Sequence, residues 1–243
     1  LVAIGGGSLL DLAKGVSVLL TNPGVGIDYR GMGKVIEPPS PLLTIPTTAG
    51  TGSEVTWTAS FIDTESHVKL GINGPNVFPY ASLLEPKLLV GSPRSVAMSA
   101  ALDSLVHAVE AISSPAASAF TDPIASSSIR YVFEYLPSAL NEPQDPEPWG
   151  YLQMGAFLAG LAMLNSAGGP ASGISYPIGV RFGVPHGFAG GILLPKVAAH
   201  NVAQGYRGYG KIMSAEIAYE VSHMNGSRKD FVDSLFNLYA EIA

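Results

Sequence analysis

Asp103 and His107 are the residues whose types and spacing best suit chemistry in this sequence. They lie four positions apart in MSAALDSLVHAVE, residues 98–110, whose apolar periodicity predicts a helix. That spacing places a carboxylate and an imidazole on the same helix face. His186, between a proline and a glycine, is a natural third ligand, and the set suits Fe²⁺ or Zn²⁺. A hydrogen-bonded pair within the helix is the alternative for Asp103 and His107.

A glycine turn near the start of the chain is a second candidate site. Leu1–Ile4 is an apolar strand, residues 5–8 read GGGS, and the next segment has helical periodicity with Asp11 in its first turn. Glycines allow close approach of a ligand, and the N–H groups and dipole of a helix N-terminus favour phosphate. The alternative is an ordinary strand–helix turn that binds nothing.

A loop rich in hydroxyl groups follows the second predicted strand, residues 42–45. It reads PTTAGTGSEVT, residues 46–56, and suits phosphate and ribose oxygens better than packing, although a plain surface loop is the alternative. Residues 55–63 and 68–72 then alternate as a hairpin. Lys69 on the second hairpin strand is either a solvated charge or a group that faces the cofactor.

The elements around these motifs predict an α/β region followed by an all-α region. We place the boundary between them near residue 90, so that residues 1–90 form the α/β region and residues 91–243 the helical region. The predicted helices cover about 93–113, 122–140, 149–166, 187–203, 211–224 and 228 onward. Residues 165–187 contain many glycines, and we expect a long irregular loop with a functional role there.

Composition excludes several classes of function. The 243 residues are 47% hydrophobic and 13% charged, which suits a close-packed cytoplasmic enzyme with surface hidden in an oligomer. The net charge of −6 without a basic run argues against nucleic acid as a partner. The longest uncharged stretch, residues 154–180, is too rich in polar residues and glycine for a membrane span. No cysteine is present, so thiolate chemistry is excluded.

Several motifs in the same order resemble the iron-containing (group III) alcohol dehydrogenase family. The segments are GGGSLLDLAK (5–14), PTTAGTGSEVT (46–56), KLGINGP (69–75), LDSLVHAVEA (102–111), TDPIA (121–125), LAGLAMLNSAGG (158–169) and VPHGFAGGILLP (184–195). The resemblance implies a dehydroquinate synthase-like architecture. Residues 1–90 would be a partial dinucleotide-binding domain, and residues 91–243 a helical metal and substrate domain with an incomplete C-terminus. NAD or NADP and a divalent metal would lie between the two domains. It also implies that family segments precede Leu1 and follow Ala243, among them the acidic residue that decides between NAD and NADP.

The resemblance also assigns roles to individual residues. It implies that the pyrophosphate lies at the glycine turn and that hydroxyl groups line the ribose and nicotinamide side; with Asp11 and Lys69 included, the cofactor-binding set is Gly6, Gly7, Ser8, Asp11, Thr47, Thr48, Thr51, Ser53 and Lys69. Asp103, His107 and His186 match three of the family's four metal ligands. The fourth, a histidine, is Ser172 here, and a further histidine near the substrate is Tyr176.

Ser172 leaves three possibilities, since a serine hydroxyl is a far weaker ligand than imidazole. A metal binds through three residues with water in the fourth place, or it binds weakly, or the enzyme works without it and uses His186, His107 or Tyr176 as the proton donor. His200, the next histidine along the chain, is too far away to replace the missing ligand.

We expect hydride transfer between a nicotinamide cofactor and a small alcohol or its aldehyde or ketone. Tyr176 and Arg181 suggest an oxygenated or anionic aldehyde. A lyase-type reaction on the same fold is one rival. The other is a metal-depleted or metal-independent variant that acts as an oligomer-forming binding protein. The family resemblance favours at least a homodimer.

Overall fold

The computed structural model describes residues 1–212, 233, 235–238 and 240, and its strands all precede its long core helices. The last strand ends at Ser82 and the first long helix of the C-terminal region begins at Arg94. The prediction of an α/β region followed by an all-α region is confirmed. The division into domains at residue 90 stays a prediction.

The described residues contain six strands, which form two small sheets. Their bounds are β1 Val2–Gly5, β2 Gly31–Met32, β3 Leu43–Pro46, β4 Thr58–Asp63, β5 Val68–Asn73 and β6 Ala81–Ser82. The first sheet has the order β1-β3-β6 with parallel neighbours, and the second has the order β2-β5-β4. β4 and β5 pair antiparallel from Thr58 opposite Asn73 to Asp63 opposite Val68. The predicted hairpin is therefore present.

Helix α1, Gly7–Leu19, connects the two sheets. Its buried face carries Leu10 and Val18, a spacing of eight that keeps both on one side of a helix. Leu10 packs in a small core with residues of β1 and of the segment before β3, and Val18 packs in a second core with the hairpin. The helix thus fixes the hairpin relative to the parallel strands.

Five further α-helices form most of the rest of the described chain. They are α2 Arg94–Ser113, α3 Thr121–Asn141, α4 Pro146–Leu164, α5 Pro170–Phe182 and α6 His186–Ala203. α2 lies at their centre, and every residue from 101 to 112 is buried. Among the described residues it is also the one helix long and apolar enough to cross a membrane, and 72% of its apolar window is buried inside the protein. That burial is expected of a core helix.

Two glycines wedge the loop after β3 between helices of the C-terminal region. A Cβ placed on Gly50 would lie 2.7 Å from Ala100 O in α2, and one on Gly52 would lie 2.6 Å from Gly160 Cα in α4. Gly52 also has φ +62, in the left-handed region that glycine adopts without strain. The loop therefore meets helix backbones directly, with no side chain between them.

The structure contradicts two predictions about local structure. Residues 165–187 are not one irregular loop, because α5 occupies their middle. Their glycines and prolines suggested a loop, but the carboxylate of Glu110 in α2 accepts hydrogen bonds from the N-terminus of this helix and stabilises it. Asp11 is not in the first turn of α1, because the helix already begins at Gly7. The predicted helix at 211–224 lies outside the described residues from 213 onward, as does most of the one from 228.

Candidate functional site

Parallel pairing of β1 with β3 brings together the two loops that follow these strands. Gly5 is opposite Pro46 in the register, and the N–H of Thr47 donates to Gly5 O at 3.0 Å. A Cβ on Gly7 would lie 2.4 Å from Thr51 Cγ2, so a glycine lets α1 begin this close to the loop. The predicted pyrophosphate turn and the predicted ribose-side threonines therefore lie side by side. The structure brings together Gly6, Gly7, Ser8, Thr47, Thr48 and Thr51.

Asp11 braces the same region. Its Oδ1 accepts a hydrogen bond from Ser53 Oγ at 2.6 Å, and its Oδ2 accepts one from the Ser60 N–H at 2.9 Å. The carboxylate thus ties α1 to the loop and to β4. Asp11 and Ser53 both border the cavity described below, and their contact with a cofactor stays a prediction.

Lys14 supports this loop from beneath, and the sequence interpretation missed it. Its side chain is buried, and Nζ donates to Thr56 O at 2.9 Å and to Thr58 O at 2.8 Å. Burial lowers the pKa of Lys14 to about 8, although Asp11 and Glu54 oppose the shift. Burial also raises the pKa of Glu54 to about 6. A signal was present, because Lys14 lies four residues from both Leu10 and Val18 on the inner face of α1.

Asp103, His107 and His186 form the one cluster of metal-ligand type found among the described residues. Asp103 Oδ1 lies 3.5 Å from His107 Nε2 and 3.7 Å from His186 Nε2, and the three ligand atoms lie within 4.8 Å of one another. These distances are too long for hydrogen bonds. They approach the ~3.4 Å between ligands in a tetrahedral site with bonds of about 2.1 Å. The residues therefore fit a divalent metal ion with a further position left for another ligand.

His186 and Lys69 extend the cluster. Burial lowers the pKa of His186 to about 4, with Asp103 opposing the shift and Lys69 and His107 adding to it. His186 is thus a neutral imidazole at physiological pH, the form that binds metals. Lys69 is half-buried, and burial lowers the pKa of its ammonium group while Asp103 and Asp11 raise it. Of the two alternatives for Lys69, the structure favours the one in which it faces the cavity.

Tyr176 joins these two residues through its ring. The ring is stacked on the His186 imidazole with centroids 4.8 Å apart and an interplanar angle of 4°, and Lys69 Nζ lies 4.6 Å from the Tyr176 centroid. Burial raises the pKa of the Tyr176 hydroxyl, with Asp103 and Glu110 adding to the effect. The phenol therefore stays protonated and available as a hydrogen-bond donor.

A cavity of about 490 Å³ connects the cluster to the α/β loops. The three candidate ligands line it together with Asp11 of α1 and Thr51 and Ser53 of the loop after β3. Lys69 of β5 and Ser172 and Tyr176 of α5 complete this part of the lining. A second cavity of about 490 Å³ shares part of this wall and reaches Ser8. Part of the predicted cofactor set thus borders the same cavities as the candidate metal ligands, whereas Gly6, Gly7, Thr47 and Thr48 do not line them.

Ser172, at the position of the missing fourth ligand, is bound to Glu110. Its Oγ donates to Glu110 Oε2 at 2.5 Å. The same buried carboxylate accepts the N–H groups of Gly169 at 2.8 Å, Ala171 at 2.6 Å and Ser172 at 3.3 Å. These N–H groups belong to the N-terminus of α5, where a helix lacks internal acceptors. Glu110 therefore caps α5.

Arg181 and two further described histidines lie apart from the cluster. His200 is exposed in the last turn of α6, and His67 is exposed in the turn of the hairpin. His223 falls outside the described residues. Arg181 is exposed, and its guanidinium lies 5.8 Å from the ring centroid of Phe182.

The comparisons with known proteins match the chain to one family. Residues 1–86 match the family described as iron-containing alcohol dehydrogenase, and residues 97–243 match the C-terminal domain of the Fe-containing alcohol dehydrogenase family. The chain belongs to the iron-containing alcohol dehydrogenase family, as the motifs suggested.

Two curated relatives show the extent of the similarity. The chain is 37% identical to alcohol dehydrogenase 4 of Schizosaccharomyces pombe over 201 residues, which cover 83% of this chain and 48% of the relative. It is 34% identical to the NAD-dependent methanol dehydrogenase of Bacillus methanolicus over 202 residues, 83% of this chain and 53% of that relative. The chain therefore spans about half the length of these relatives.

Solved structures show the same fold. A crystal structure of a 1,3-propanediol oxidoreductase superposes with a TM-score of 0.91 and 29% identity, covering 100% of this chain and 64% of that one. A sulfoacetaldehyde reductase from Bifidobacterium kashiwanohense in complex with NAD⁺ gives a TM-score of 0.87 and 28% identity, covering 100% and 63%. The fold assigned from the motifs is thus supported by structure as well as by sequence.

Proposed function

We propose that this protein is an NAD-dependent alcohol dehydrogenase that interconverts a small alcohol and its aldehyde or ketone with the help of a divalent metal ion. The observation that carries the proposal is the meeting of two features in one cavity. Asp103, His107 and His186 form a ligand cluster at one side, and Thr51 and Ser53 of the loop after β3 border the other side, next to the glycine turn that follows β1.

Asp103, His107 and His186 would hold the metal, with Fe²⁺ or Zn²⁺ as the candidates. When bound there, such an ion supplies Lewis-acid polarisation of the substrate oxygen. The protein contributes a nearly fixed geometry, because Asp103 and His107 lie on the buried helix α2. The hydroxyl of Ser172 is engaged by Glu110, so we assign three protein ligands and an open fourth position, as in catalytic sites that keep one position for water or substrate.

The α/β loops would bind the cofactor. The nicotinamide cofactor supplies the hydride acceptor or donor when bound. The N-terminus of α1 offers N–H groups at Gly7 and Ser8 for the pyrophosphate, and Thr47, Thr48, Thr51 and Ser53 offer hydroxyls for the ribose side. We propose NAD rather than NADP, since one relative is named NAD-dependent and one similar structure is described with NAD⁺.

The cavity limits the substrate to a small molecule. Tyr176 presents a protonated hydroxyl, and Lys69 presents a cation near the ligand cluster, so both suit an alcohol or aldehyde that carries a second oxygenated or anionic group. His186, His107 and Tyr176 are the candidates for moving the hydroxyl proton, directly or through water. The predicted homo-oligomer and cytoplasmic location stay predictions.

Metal analysis combined with turnover tests the proposal. The full-length protein should contain Fe or Zn in stoichiometric amount and should oxidise NADH in the presence of one or more small aldehydes. His107→Gln should lose the metal and at least about a hundredfold in activity, because a ligand is removed. His200→Gln, an exposed histidine of the same type, should keep both.

Two results would contradict the proposal in different ways. Full activity of metal-free protein would remove the Lewis-acid role and leave the dehydrogenase. Absence of turnover with NADH and NADPH, with and without added metal, would exclude the dehydrogenase and leave the non-catalytic binding protein as the interpretation.

A further inference from the structure

Ser175 is a buried residue of α5 that contacts the ligand cluster from behind. Its side chain is fully buried, and its Oγ lies 2.6 Å from the backbone oxygen of Ser172 and 3.0 Å from Nδ1 of His186. The other ring nitrogen of His186, Nε2, faces Asp103. Ser175 thus contacts the side of the imidazole that points away from the cluster.

The hydrogen-bond inventory of a serine fixes the direction of these two contacts. A hydroxyl has one proton, and a backbone carbonyl can only accept. Two oxygen atoms 2.6 Å apart require a proton between them, so the Ser175 proton lies on the bond to Ser172 O. Ser175 can then only accept from His186, and Nδ1 must carry the proton of that bond.

We propose that Ser175 is a positioning residue that holds His186 as the Nδ1–H tautomer and leaves the lone pair of Nε2 directed at Asp103 and His107. The opposite tautomer would place an N–H on Nε2, whose nearest acceptor in the cluster, Asp103 Oδ1, is 3.7 Å away and too far for a good hydrogen bond. It would also leave Nδ1 facing an oxygen with no proton to share.

The positioning continues from Ser175 back to α2. Ser172 supplies the carbonyl that takes the Ser175 proton, and Ser172 is itself held by Glu110 through its N–H and its hydroxyl. The serine in place of a fourth histidine thus belongs to a chain of contacts that aims another ligand. His107 differs, because its Nδ1 is buried with no hydrogen-bond partner among the described residues.

The importance of this tautomer for metal binding rests on the proposed function, but the tautomer itself does not. Nuclear magnetic resonance of the metal-free protein can read it from the ¹⁵N shifts and two-bond ¹H–¹⁵N couplings of the imidazole. The His186 signals are identified by their loss in His186→Gln. The wild type should show Nδ1–H, and Ser175→Ala should show a mixture of tautomers. Nε2–H in the wild type would overturn the proposal.

The affinity for Zn²⁺ alone, measured by competition with a chelating dye, gives the second readout. Loss of a group that orients a ligand typically weakens a metal site 10- to 100-fold, so Ser175→Ala should bind Zn²⁺ about tenfold more weakly. Ser128→Ala is the matched control, since Ser128 is a buried serine in α3 whose hydroxyl has no partner among the described residues. It should bind as the wild type does.

The two proposals fail differently. Equal affinity of Ser175→Ala and the wild type would overturn the positioning role while the metal site stands. If the wild type binds no Zn²⁺, the metal part of the proposed function fails, and the tautomer measurement still decides the role of Ser175.

Discussion

The two walls of the cavity are each organised by one buried charge, but of opposite sign. In the α/β wall, the ammonium of Lys14 donates to two loop carbonyls, Thr56 O and Thr58 O. In the helical wall, the carboxylate of Glu110 accepts from the first N–H groups of α5 and from the Ser172 hydroxyl. A buried cation thus holds backbone carbonyls in the α/β wall, and a buried anion caps the N-terminus of a helix in the helical wall. Both walls therefore depend on charges that need not touch any ligand.

The walls differ in how firmly they should depend on these charges. An amide N–H left without an acceptor in a buried place is rarely tolerated, whereas a carbonyl that lacks one of its bonds is somewhat more common. Glu110 also serves a whole helix terminus, while Lys14 serves two carbonyls. We therefore expect loss of the charge in the helical wall to lower the free energy of unfolding more than loss of the charge in the α/β wall.

The largest effect is expected for Glu110→Ala. The substitution leaves the N–H groups of Gly169, Ala171 and Ser172 without their acceptor and should cost about 3 kcal/mol in the free energy of unfolding. Urea unfolding measures the loss, and amide exchange should show reduced protection of α5. Glu134→Ala, on the half-buried face of α3, is the control and should change little. Unchanged protection of α5 would remove Glu110 from its assigned role.

A smaller loss is expected for Lys14→Met. Methionine fills a similar volume without a charge, so the cost of burying the ammonium disappears while Thr56 O and Thr58 O lose their donor. The two effects partly cancel, and we expect a net loss of about 1 kcal/mol by urea unfolding. A loss as large as that of Glu110→Ala would contradict the contrast between the walls.

The pH dependence of the free energy of unfolding should report on two buried groups of the α/β wall, Lys14 and Glu54. The pKa of Lys14 is about 8 in the folded protein against 10.5 when exposed, so the folded state favours the neutral amine. The stability gained from this shift is fully present above about pH 10.5 and is lost as the pH falls to 8. The pKa of Glu54 is about 6 in the folded protein against 4.5 when exposed, so the folded state favours the protonated carboxyl. The stability gained from this shift is fully present below about pH 4.5 and is lost as the pH rises to 6.

Single variants isolate these two windows. The difference in unfolding free energy between wild type and Glu54→Gln should change mainly between pH 4.5 and 6, and that for Lys14→Met mainly between pH 8 and 10.5. Differences that are flat across both windows would show that neither group titrates with a shifted pKa.

The smallest effect, and one of opposite sign, is expected for Gly173→Ala. Gly173 is exposed in α5 with nothing within 4 Å of an added Cβ, so alanine should stabilise the helix by about 0.5–1 kcal/mol. Gly187→Ala is the contrasting glycine, since its Cβ would lie 1.7 Å from Ser99 O of α2. It should destabilise the protein strongly. A loss at Gly173 comparable to that at Gly187 would contradict this account of α5.

Local pattern was sufficient for much of the fold and for the ligand pair. The spacing of Asp103 and His107, the hairpin alternation and the strand–glycine–helix start all depend on neighbours within a few positions. The family followed from motifs in a fixed order. His186 was proposed as the third ligand from its position between a proline and a glycine, the resemblance supported that choice, and the structure places it beside the other two.

The support of the site could not be predicted in the same way. α5 reads as a loop because of its glycines and prolines, and the carboxylate that starts it is about 60 positions away in sequence. Ser175 is an unremarkable serine until α5 and α6 are packed together. Contacts of this kind depend on tertiary packing, which periodicity does not encode. Lys14 was predictable in principle, because its place on the inner face of α1 is a matter of spacing.

The contacts of Gly50 with Ala100 and of Gly52 with Gly160 have a consequence for protein engineering. A chimera that takes residues 1–90 from one relative and the remainder from another would join two surfaces that meet as bare backbone. Such an exchange should succeed only where the donor of residues 1–90 has glycine at positions 50 and 52 and the other relative has a residue as small as glycine at position 160. Exchange points for chimeras are therefore better chosen by matching the small residues at this contact than by cutting the chain where the strands end.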